Sequence, residues 1–516
     1  MSSTKLAHSI LRQLIENGVS HFVLSPGSRN APLSLALHEA AEKGIVDLHV
    51  RIDERGAAFF ALGLSKASEN YVAVICTSGT AAANYHPAAL EAYHSKNKVI
   101  FITADRPARL RGTGANQTTI QVGVLAPLGT HDISSGVDIA SLLNGDPLHL
   151  NVQFDEPLIA DEKINWLDGL QITPYFDGDL EAVLVEAKPR SVIIVGHDKG
   201  TFNDGELEDF LTESNLPIIA EDPLSTPRAI AHASLFLADT NIRASLKADQ
   251  IFVIGRTTLS RSINAYIAEC SDVTVIDPRI TDVDSKRTAT SKFTSLPFIE
   301  CESDSTWISQ WDSLSHLELP LDGWSEQVAV KTIVESIPEG SALFVGSSRP
   351  VRDIEACAHY RHGIRTYANR GLAGIDGNIS TALGIAETYQ KSYSILGDLT
   401  FLHDLSALVS TSQADHCFFI IDNNGGGIFS TLPQAGSAGF EKVFGTPHGL
   451  DIEKVIQGFG LNVVRVKNES DIRQQVNKSG LRFVVVEVPS REENAAGVKA
   501  LHQSAAKAAR IGANLA

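Results

Sequence analysis

Cysteine is scarce in this chain of 516 residues: Cys76, Cys270, Cys301, Cys357 and Cys417 are scattered without metal-ligand spacing. That excludes a thiolate metal centre as the organising feature, and the apolar settings of Cys76 and Cys417 read as buried free thiols suited to a reducing cytoplasm. Long hydrophobic runs are also missing, so no membrane insertion is expected. The first residues place Leu6, Ile10 and Leu14 on a helix face, unlike the unbroken apolar core of a signal peptide. Against a formal net charge of -18 there is no basic block. Nucleic acid is therefore not expected as a partner, although local arginine clusters still attract small anions. A complete Gly-x-Gly-x-x-Gly loop is absent too. Val195-Gly-His-Asp-Lys-Gly200 is incomplete and Ile254-Gly-Arg-Thr257 too sparse, so a nicotinamide oxidoreductase lacks its fingerprint. There is no low-complexity segment and no short repeat.

What is present is an ordinary globular composition, 43% hydrophobic and 20% charged, with length for roughly three domains. Helical patterns at 6–17, after Asn30, from Glu54 and at 81–93 alternate with apolar runs at 21–24, 46–52, 72–76 and 99–104. This is the order of a parallel sheet with helices on both faces. A Pro- and Asp-rich passage near 155–179 interrupts it. Runs at 191–195, 250–254 and 273–276 make a smaller second unit, and polar residues at 301–324 a second break. Runs at 342–345, 392–396, 417–421, 463–466 and 483–488 make a third. The expected fold class is α/β, with three doubly wound, mainly parallel-sheet domains over 1–178, 179–325 and 326–516. The first and third are alike in length and pattern, which suggests two related domains flanking a middle one.

Two constellations stand out. In the stretch 51–66, Glu54 lies at the mouth of a helix whose positive end favours an anion. Ala57, Ala58, Ala61, Gly63 and Ala67 give that helix a small-residue face that packs closely against another surface. Glu54 either caps the helix or does acid/base work. The second constellation pairs Gly397-Asp398, ending one strand, with Asp422-Asn-Asn-Gly-Gly-Gly427, ending another. Carboxyl ends of neighbouring parallel strands converge on a ligand crevice, so Asp398 and Asn423, 25 residues apart, are expected side by side. A carboxylate, an amide oxygen and a turn carbonyl suit Mg2+ and phosphate oxygens, and the helix after Asp398 aims free N–H groups at the same diphosphate. The plain alternative makes Asp398 an N-cap and Asn-Asn-Gly a turn.

Gly-Asp followed by Asn-Asn after about 25 residues, with an upstream Glu in an earlier α/β domain, resembles the thiamine-diphosphate-dependent enzymes. Within that family, five stretches resemble the branch that joins 2-oxoglutarate to isochorismate in menaquinone biosynthesis. They are Ser25-Pro-Gly-Ser-Arg-Asn-Ala-Pro32, Asp53-Glu-Arg-Gly-Ala-Ala-Phe-Phe60, Thr103-Ala-Asp-Arg-Pro107, Gly114-Ala-Asn-Gln-Thr118 and Asn369-Arg-Gly-Leu-Ala-Gly-Ile-Asp-Gly377. The resemblance spans nearly the whole chain and is weakest at about 179–281. The usual Gly-Asp-Gly reads Gly397-Asp398-Leu399, a departure that keeps the metal ligand.

The resemblance implies pyrimidine-binding, central and diphosphate-binding domains, in that order. It implies thiamine diphosphate and Mg2+, or Mn2+ in its place, and Glu54 as the catalytic carboxylate that hydrogen-bonds the aminopyrimidine. Cofactor contacts fall on Ile375, Gly397, Asp398, Asn423, Gly425, Ile428 and Phe429, and metal ligands on Asp398, Asn423 and the Gly425 carbonyl. The implied transferase decarboxylates 2-oxoglutarate and adds the remaining succinic semialdehyde unit to isochorismate, so two dicarboxylates need fixed cations despite the acidic surface. The matching substrate positions are Ser28, Arg29, Arg106, Asn116, Gln117, Lys286, Arg287, Ser348, Arg352 and Arg370, with Phe429 and Leu432 on an apolar wall. Active sites between the subunits of a cytoplasmic homodimer or homotetramer are implied as well, and the small-residue face of the Glu54 helix then reads as part of that interface.

Some of these positions stand on spacing alone. Ser348 and Arg352 lie four apart at a helix start with Pro350 in its first turn. Arg29 and Arg106 follow strands directly. Lys286 and Arg287 lie close to Asp282 and Asp284, which could simply neutralise them, while Arg109, Arg111 and Arg349 read as ion-pair candidates. No role falls to His86, His94, His403 or His448. Two other readings share Glu54 and Asp398: another thiamine-dependent 2-oxo acid decarboxylase or carboligase, such as acetohydroxyacid synthase, and a non-catalytic cofactor-binding protein of the same fold.

Overall fold

The computed structural model describes residues 1–160, 165–176, 183–196, 198–279, 283–321, 323–410 and 413–514. The expectations resting on Asp282 and on a boundary at 178/179 lie outside them. The chain forms two compact units. One comprises Met1–Gly178, Asn369–Gln390 and Phe401–Ala414; the other comprises Asp179–Ala368, Lys391–Thr400 and Asp415–Ala516.

The first unit is built on six strands: β1 (His21–Leu24), β2 (Asp47–Val50), β3 (Val72–Cys76), β4 (Val99–Asp105), β5 (Thr130–Ile133) and β6 (Leu148–Gln153). They pair in parallel in the order β2-β1-β3-β4-β6-β5. Strands β3 and β4 are buried along their whole length and read as continuous apolar runs, as parallel strands covered on both faces do. Strands β5 and β6 carry no such run. Their polar side chains enter a buried network instead, in which Asn151 Oδ1 accepts from Thr103 Oγ1 and Gln121 Nε2 while Asn151 Nδ2 donates to Asp105. The helix expected at 81–93 is two helices, Thr80–Asn84 and His86–Ser95. Pro87 accounts for the break, because it lacks an N–H and its ring crowds the carbonyl four residues back.

The helix Glu54–Ser68 packs against the helix Asn378–Ala386 of the same unit. A Cβ on Gly63 would lie 2.1 Å from the Thr381 carbonyl oxygen, and one on Gly384 would lie 2.2 Å from that of Phe60. A close partner of the small-residue face is therefore a helix of the same chain.

In the second unit, β7 (Leu184–Ala187) pairs with β13 (Phe298–Cys301). Strands β8 (Ser191–Val195), β9 (Ile218–Ala220), β10 (Gln250–Ile254), β11 (Val273–Ile276) and β12 (Ser291–Phe293) form a parallel sheet in the order β12-β11-β10-β8-β9. A third sheet contains β14 (Ala342–Val345), β15 (Arg365–Tyr367), β16 (Ser392–Gly397), β17 (His416–Asp422), β18 (Val463–Val466) and β19 (Arg482–Glu487). Its parallel order, β15-β14-β16-β17-β19-β18, repeats that of the first sheet strand for strand. Each of these two sheets reverses direction between its first and third strands, the place where open α/β sheets bind ligands. The C-terminal helix Arg491–Gly512, opened by a Ser490/Glu493 capping box, buries Leu501, Ala505 and Ala509 in one core with Trp307 and Trp311. Among the described residues no helix is long and apolar enough to cross a membrane.

Candidate functional site

In the first unit, the loops after β1 and β3 meet at the reversal point, where a Cβ on Gly27 would lie 2.3 Å from Thr77. Arg29 leaves this loop and donates to the Phe154 carbonyl at 3.1 Å, with Glu156 at 3.3 Å. Arg106, following β4, donates to Ser78 Oγ at 3.1 Å and to the Gln117 carbonyl at 2.9 Å, and Gln117 Nε2 donates back to the Ser78 carbonyl at 3.0 Å. Burial and then the charge of Arg29 lower the pKa of Arg106, so the two guanidiniums share one field at the carboxyl end of the sheet. Ser28 and Asn116 are exposed.

Asp53, not Glu54, is the N-cap of the helix: its carboxylate accepts from Arg55 N at 3.2 Å. Glu54 is the first helical residue and half-buried, and among the described residues its carboxylate has no hydrogen-bond or ion-pair partner. A strap around 403–410 fixes the helix mouth. Arg51 Nη1 donates to the Ser410 carbonyl at 2.5 Å, Arg55 Nη2 to that of His403 at 2.8 Å, and Ser406 Oγ to Asp53. Buried Asp404 accepts from Ser380 N and Oγ at 2.8 and 3.0 Å, and burial raises its pKa to about 6.

Arg370 and Ile375 sit on the loop that leads into the Asn378–Ala386 helix, and Ile375 is half-buried rather than a core residue. Gly377, at φ 58°, lets this loop press on the Glu54 helix, where a Cβ would fall 2.0 Å from the Phe59 ring. Glu91 holds the loop from the other side: Gly371 N and Leu372 N donate to its two carboxylate oxygens, each at 2.7 Å. Sequence reasoning missed Glu91, although an acid inside the small-residue run 88–92 was a signal.

In the second unit, β16 and β17 end together, with Gly397 opposite Ile421. Asp398 is 2% exposed; its Oδ1 accepts from Leu399 N at 2.6 Å and its Oδ2 from Gly425 N at 2.8 Å. The aspartate and the Asn423–Gly425 turn thus stand side by side. Gly425 has φ 136°, and a Cβ there would lie 2.2 Å from the Gly445 carbonyl oxygen, so the turn accepts only glycine. Asn423 Nδ2 donates to Glu326 Oε1 at 2.5 Å, while its Oδ1 is buried with no hydrogen-bond partner among the described residues.

His448 completes the cluster, with Nε2 3.3 Å from Asp398 and 4.0 Å from Asp422. One ligand atom from each of the three lies within 4.8 Å of the others. The hydrogen bond to Asp398 raises the His448 pKa. No spacing pointed to His448, which lies 50 residues from Asp398. The helix after β16 is short, Asp398–His403, and is followed by a 3-10 turn, Leu405–Ser410. Ile428 and Phe429 lie on the 3-10 segment Gly427–Thr431, Phe429 with its ring 5.5 Å from that of Phe444, and half-buried Leu432 follows.

Beyond β14, Arg352 Nη1 donates to the Ser348 carbonyl at 2.6 Å, which joins that pair as its spacing suggested. Lys286 and Arg287 are exposed on the loop after β11. Among the described residues Asp284 forms no ion pair with either; its carboxylate accepts from Thr288 N and Ala289 N and lies 3.8 Å from Lys292 Nζ. The arginines read as ion-pair candidates do form such pairs: Arg109 with Asp155 at 2.6 Å, Arg111 with Asp132 at 2.7 Å, and Arg349 with Asp353.

The first sheet therefore carries two cations at its carboxyl end and, at the mouth of a helix, a carboxylate without a partner among the described residues, and the third sheet carries the cluster around Asp398. Residues 4–124 match the family described as thiamine pyrophosphate enzyme, N-terminal TPP binding domain, and residues 354–488 match its C-terminal TPP binding domain. The class is that of the thiamine pyrophosphate enzymes. The 2-succinyl-5-enolpyruvyl-6-hydroxy-3-cyclohexene-1-carboxylate synthase of Nocardioides sp. is 36% identical, with 96% of each chain covered. Enzymes of the same name from Thermobifida fusca, 35% identical over 98% of this chain and 100% of that one, and Saccharopolyspora erythraea, 34% identical over 95% and 96%, are also similar. The chain belongs to the family of 2-succinyl-5-enolpyruvyl-6-hydroxy-3-cyclohexene-1-carboxylate synthases.

Proposed function

We propose that the protein decarboxylates 2-oxoglutarate and adds the remaining four-carbon unit to isochorismate, giving 2-succinyl-5-enolpyruvyl-6-hydroxy-3-cyclohexene-1-carboxylate and CO2 in menaquinone biosynthesis. Thiamine diphosphate and Mg2+, replaceable by Mn2+, are its cofactors. One observation carries the reading: a buried amide oxygen of Asn423 without a partner stands beside Asp398 and the Gly425 turn, at the ends of paired strands in a region that matches a TPP-binding domain. That donor set fits Mg2+, which takes hard oxygens and shares phosphate oxygens. Asp398, Asn423 and the Gly425 carbonyl would hold the metal, Gly397 would border the diphosphate, and Ile375, Ile428 and Phe429 would wall the cofactor.

Bound thiamine diphosphate supplies the nucleophilic carbon and the electron sink for loss of CO2. Glu54 holds and moves a proton at the aminopyrimidine, a role its unpartnered carboxylate leaves open. Arg29, Arg106, Arg352 and Arg370 bind the substrate carboxylates by charge-assisted hydrogen bonds, with Ser28, Asn116, Gln117 and Ser348 as neutral donors and Leu432 against the carbon skeleton. Lys286 and Arg287 are outlying members of the set. Segments 1–178, 179–325 and 326–516 serve as pyrimidine-binding, central and diphosphate-binding domains of a cytoplasmic homodimer or homotetramer with active sites between subunits.

The test mixes protein, Mg2+, thiamine diphosphate and 2-oxoglutarate, with and without isochorismate, and follows CO2 release and isochorismate loss. Both are expected. Turnover of pyruvate in place of 2-oxoglutarate would assign another carboligase, and bound cofactor without any turnover would leave a binding protein.

A further inference from the structure

We propose that Glu326 is the positioning residue for the metal-facing oxygen of Asn423: it takes the amide nitrogen and so turns Oδ1 toward the cation. The inference rests on the metal site proposed above. Glu326 opens the helix Glu326–Ser336 and is 2% exposed, with its backbone N–H donating to Asn494 Oδ1 at 3.0 Å. Its Oε1 accepts from Asn423 Nδ2 at 2.5 Å, and its Oε2 faces Arg349 Nε at 3.5 Å. Arg349 is anchored in turn by Asp353, which accepts from Gln327 Nε2 at 3.0 Å.

An ionised carboxylate only accepts, so it can face only the NH2 end of an amide, and the oxygen must point the opposite way. The buried, partnerless state of Asn423 Oδ1 is the second observation, for a buried carbonyl oxygen of this kind wants a donor or a cation. Gly427 confines the amide further, since a Cβ there would lie 2.5 Å from Nδ2. Without Glu326 the amide's two ends compete for the metal, and one of them repels it. Partners that orient a metal ligand in this way are worth about 10–100-fold in metal affinity.

The probe is Mn2+ added to the full chain at saturating thiamine diphosphate, with free Mn2+ read by electron paramagnetic resonance. Binding is measured at mildly alkaline pH, and the same pH is used for every variant. In Glu326→Gln, Arg349 keeps the new amide's oxygen and leaves its nitrogen facing Asn423, which turns its own nitrogen to the metal; Mn2+ binding is expected to weaken about 10–100-fold. Adding Asn423→Asp restores a donor on 326, an acceptor on 423 and an oxygen toward the metal, so the double variant is expected to recover tight binding, which a loss of structure would not. Should Glu326→Gln alone fail to fold, the double variant decides. Wild-type binding in Glu326→Gln, or a double variant as weak as Asn423→Ala, overturns the positioning role while the metal site stands. Wild-type binding in Asn423→Ala overturns the metal site itself.

Discussion

Glu54 is available to a ligand because its neighbour does the capping: Asp53 accepts the helix N–H, and the 403–410 strap engages Arg51, Asp53 and Arg55 but not Glu54. Glu54→Gln keeps the shape and loses the ionisable carboxyl group. Thiamine diphosphate binding, followed by calorimetry, is expected to persist while kcat falls about 10^2–10^4-fold, the range for a positioned acid/base group. An undiminished kcat would remove the role. Glu91 holds the backbone that follows Arg370, its two oxygens accepting from Gly371 N and Leu372 N. Glu91→Gln retains one acceptor and sets a donor against the other N–H, an unsatisfied pairing that costs about 1–3 kcal/mol. A lower melting temperature is expected, together with a higher KM for the dicarboxylates and a smaller change in kcat; an unchanged KM would show that the clamp does not reach the substrate. At this scale the sequence exposed Asp398, Asn423 and Gly425, because neighbouring strand ends converge. Glu326, Glu91 and His448 come to their partners across 97, 280 and 50 residues, a distance that local pattern does not encode.

The helix pair formed by Glu54–Ser68 and Asn378–Ala386 shows what glycine contributes to an element. Gly63 and Gly384 let each helix touch the other's backbone, so a methyl group at either position drives them apart. Gly63→Ala is expected to lower the apparent stability by about 1–3 kcal/mol or more, the range for an overpacked core. Gly458→Ala is the control: it ends the helix Ile452–Gly458 with nothing within 4 Å of a new Cβ and should be neutral or slightly stabilising. Equal thermal shifts in the two variants would refute close packing as the cause. The small-residue face was readable in the sequence, but its partner was not, because nothing in a run of alanines says which surface it meets. Strands obeyed the same divide. Those with continuous apolar runs, such as β3, β4, β10 and β14, were readable, whereas β6 carries buried polar side chains, β5 exposes most of its own, and β9, β12 and β15 are only three residues long.

At the scale of the whole molecule, buried titratable groups set the acid limit. Burial holds His49, His149 and His232 at about 4 and His416, between two serine hydroxyls, at about 3. These folded values lie below the ordinary histidine value of about 6.5, so the stability tied to the neutral rings is complete above that pH and is lost as pH falls toward the folded values. Asp404, raised to about 6, has the opposite sign: its contribution is complete below the ordinary carboxylate range and is lost as pH rises through 6. Glu326, at about 7, behaves in the same way. Asp277, Asp353 and Asp422 are raised as well, whereas His502 is lowered with the other rings and Asp132, Asp198 and Asp272 are lowered carboxylates that also lose stability on acidification, so the groups that resist protonation are expected to outweigh those that favour it. The melting temperature is expected to be lower at pH 5 than at pH 7.5, and a rise would refute this balance.

The same scale holds the repeated strand order of the first and third sheets, which similar apolar patterns in the sequence had suggested. It also holds the discontinuous first unit, drawn from Met1–Gly178, Asn369–Gln390 and Phe401–Ala414. Translation proceeds at roughly 5–20 residues per second, so on the order of 10–50 s separates emergence of the first segment from that of the last. Until the helix Asn378–Ala386 emerges, the glycine-bearing face of the Glu54 helix has been made without the surface it packs against, so the order of synthesis leaves that face uncovered for most of the interval.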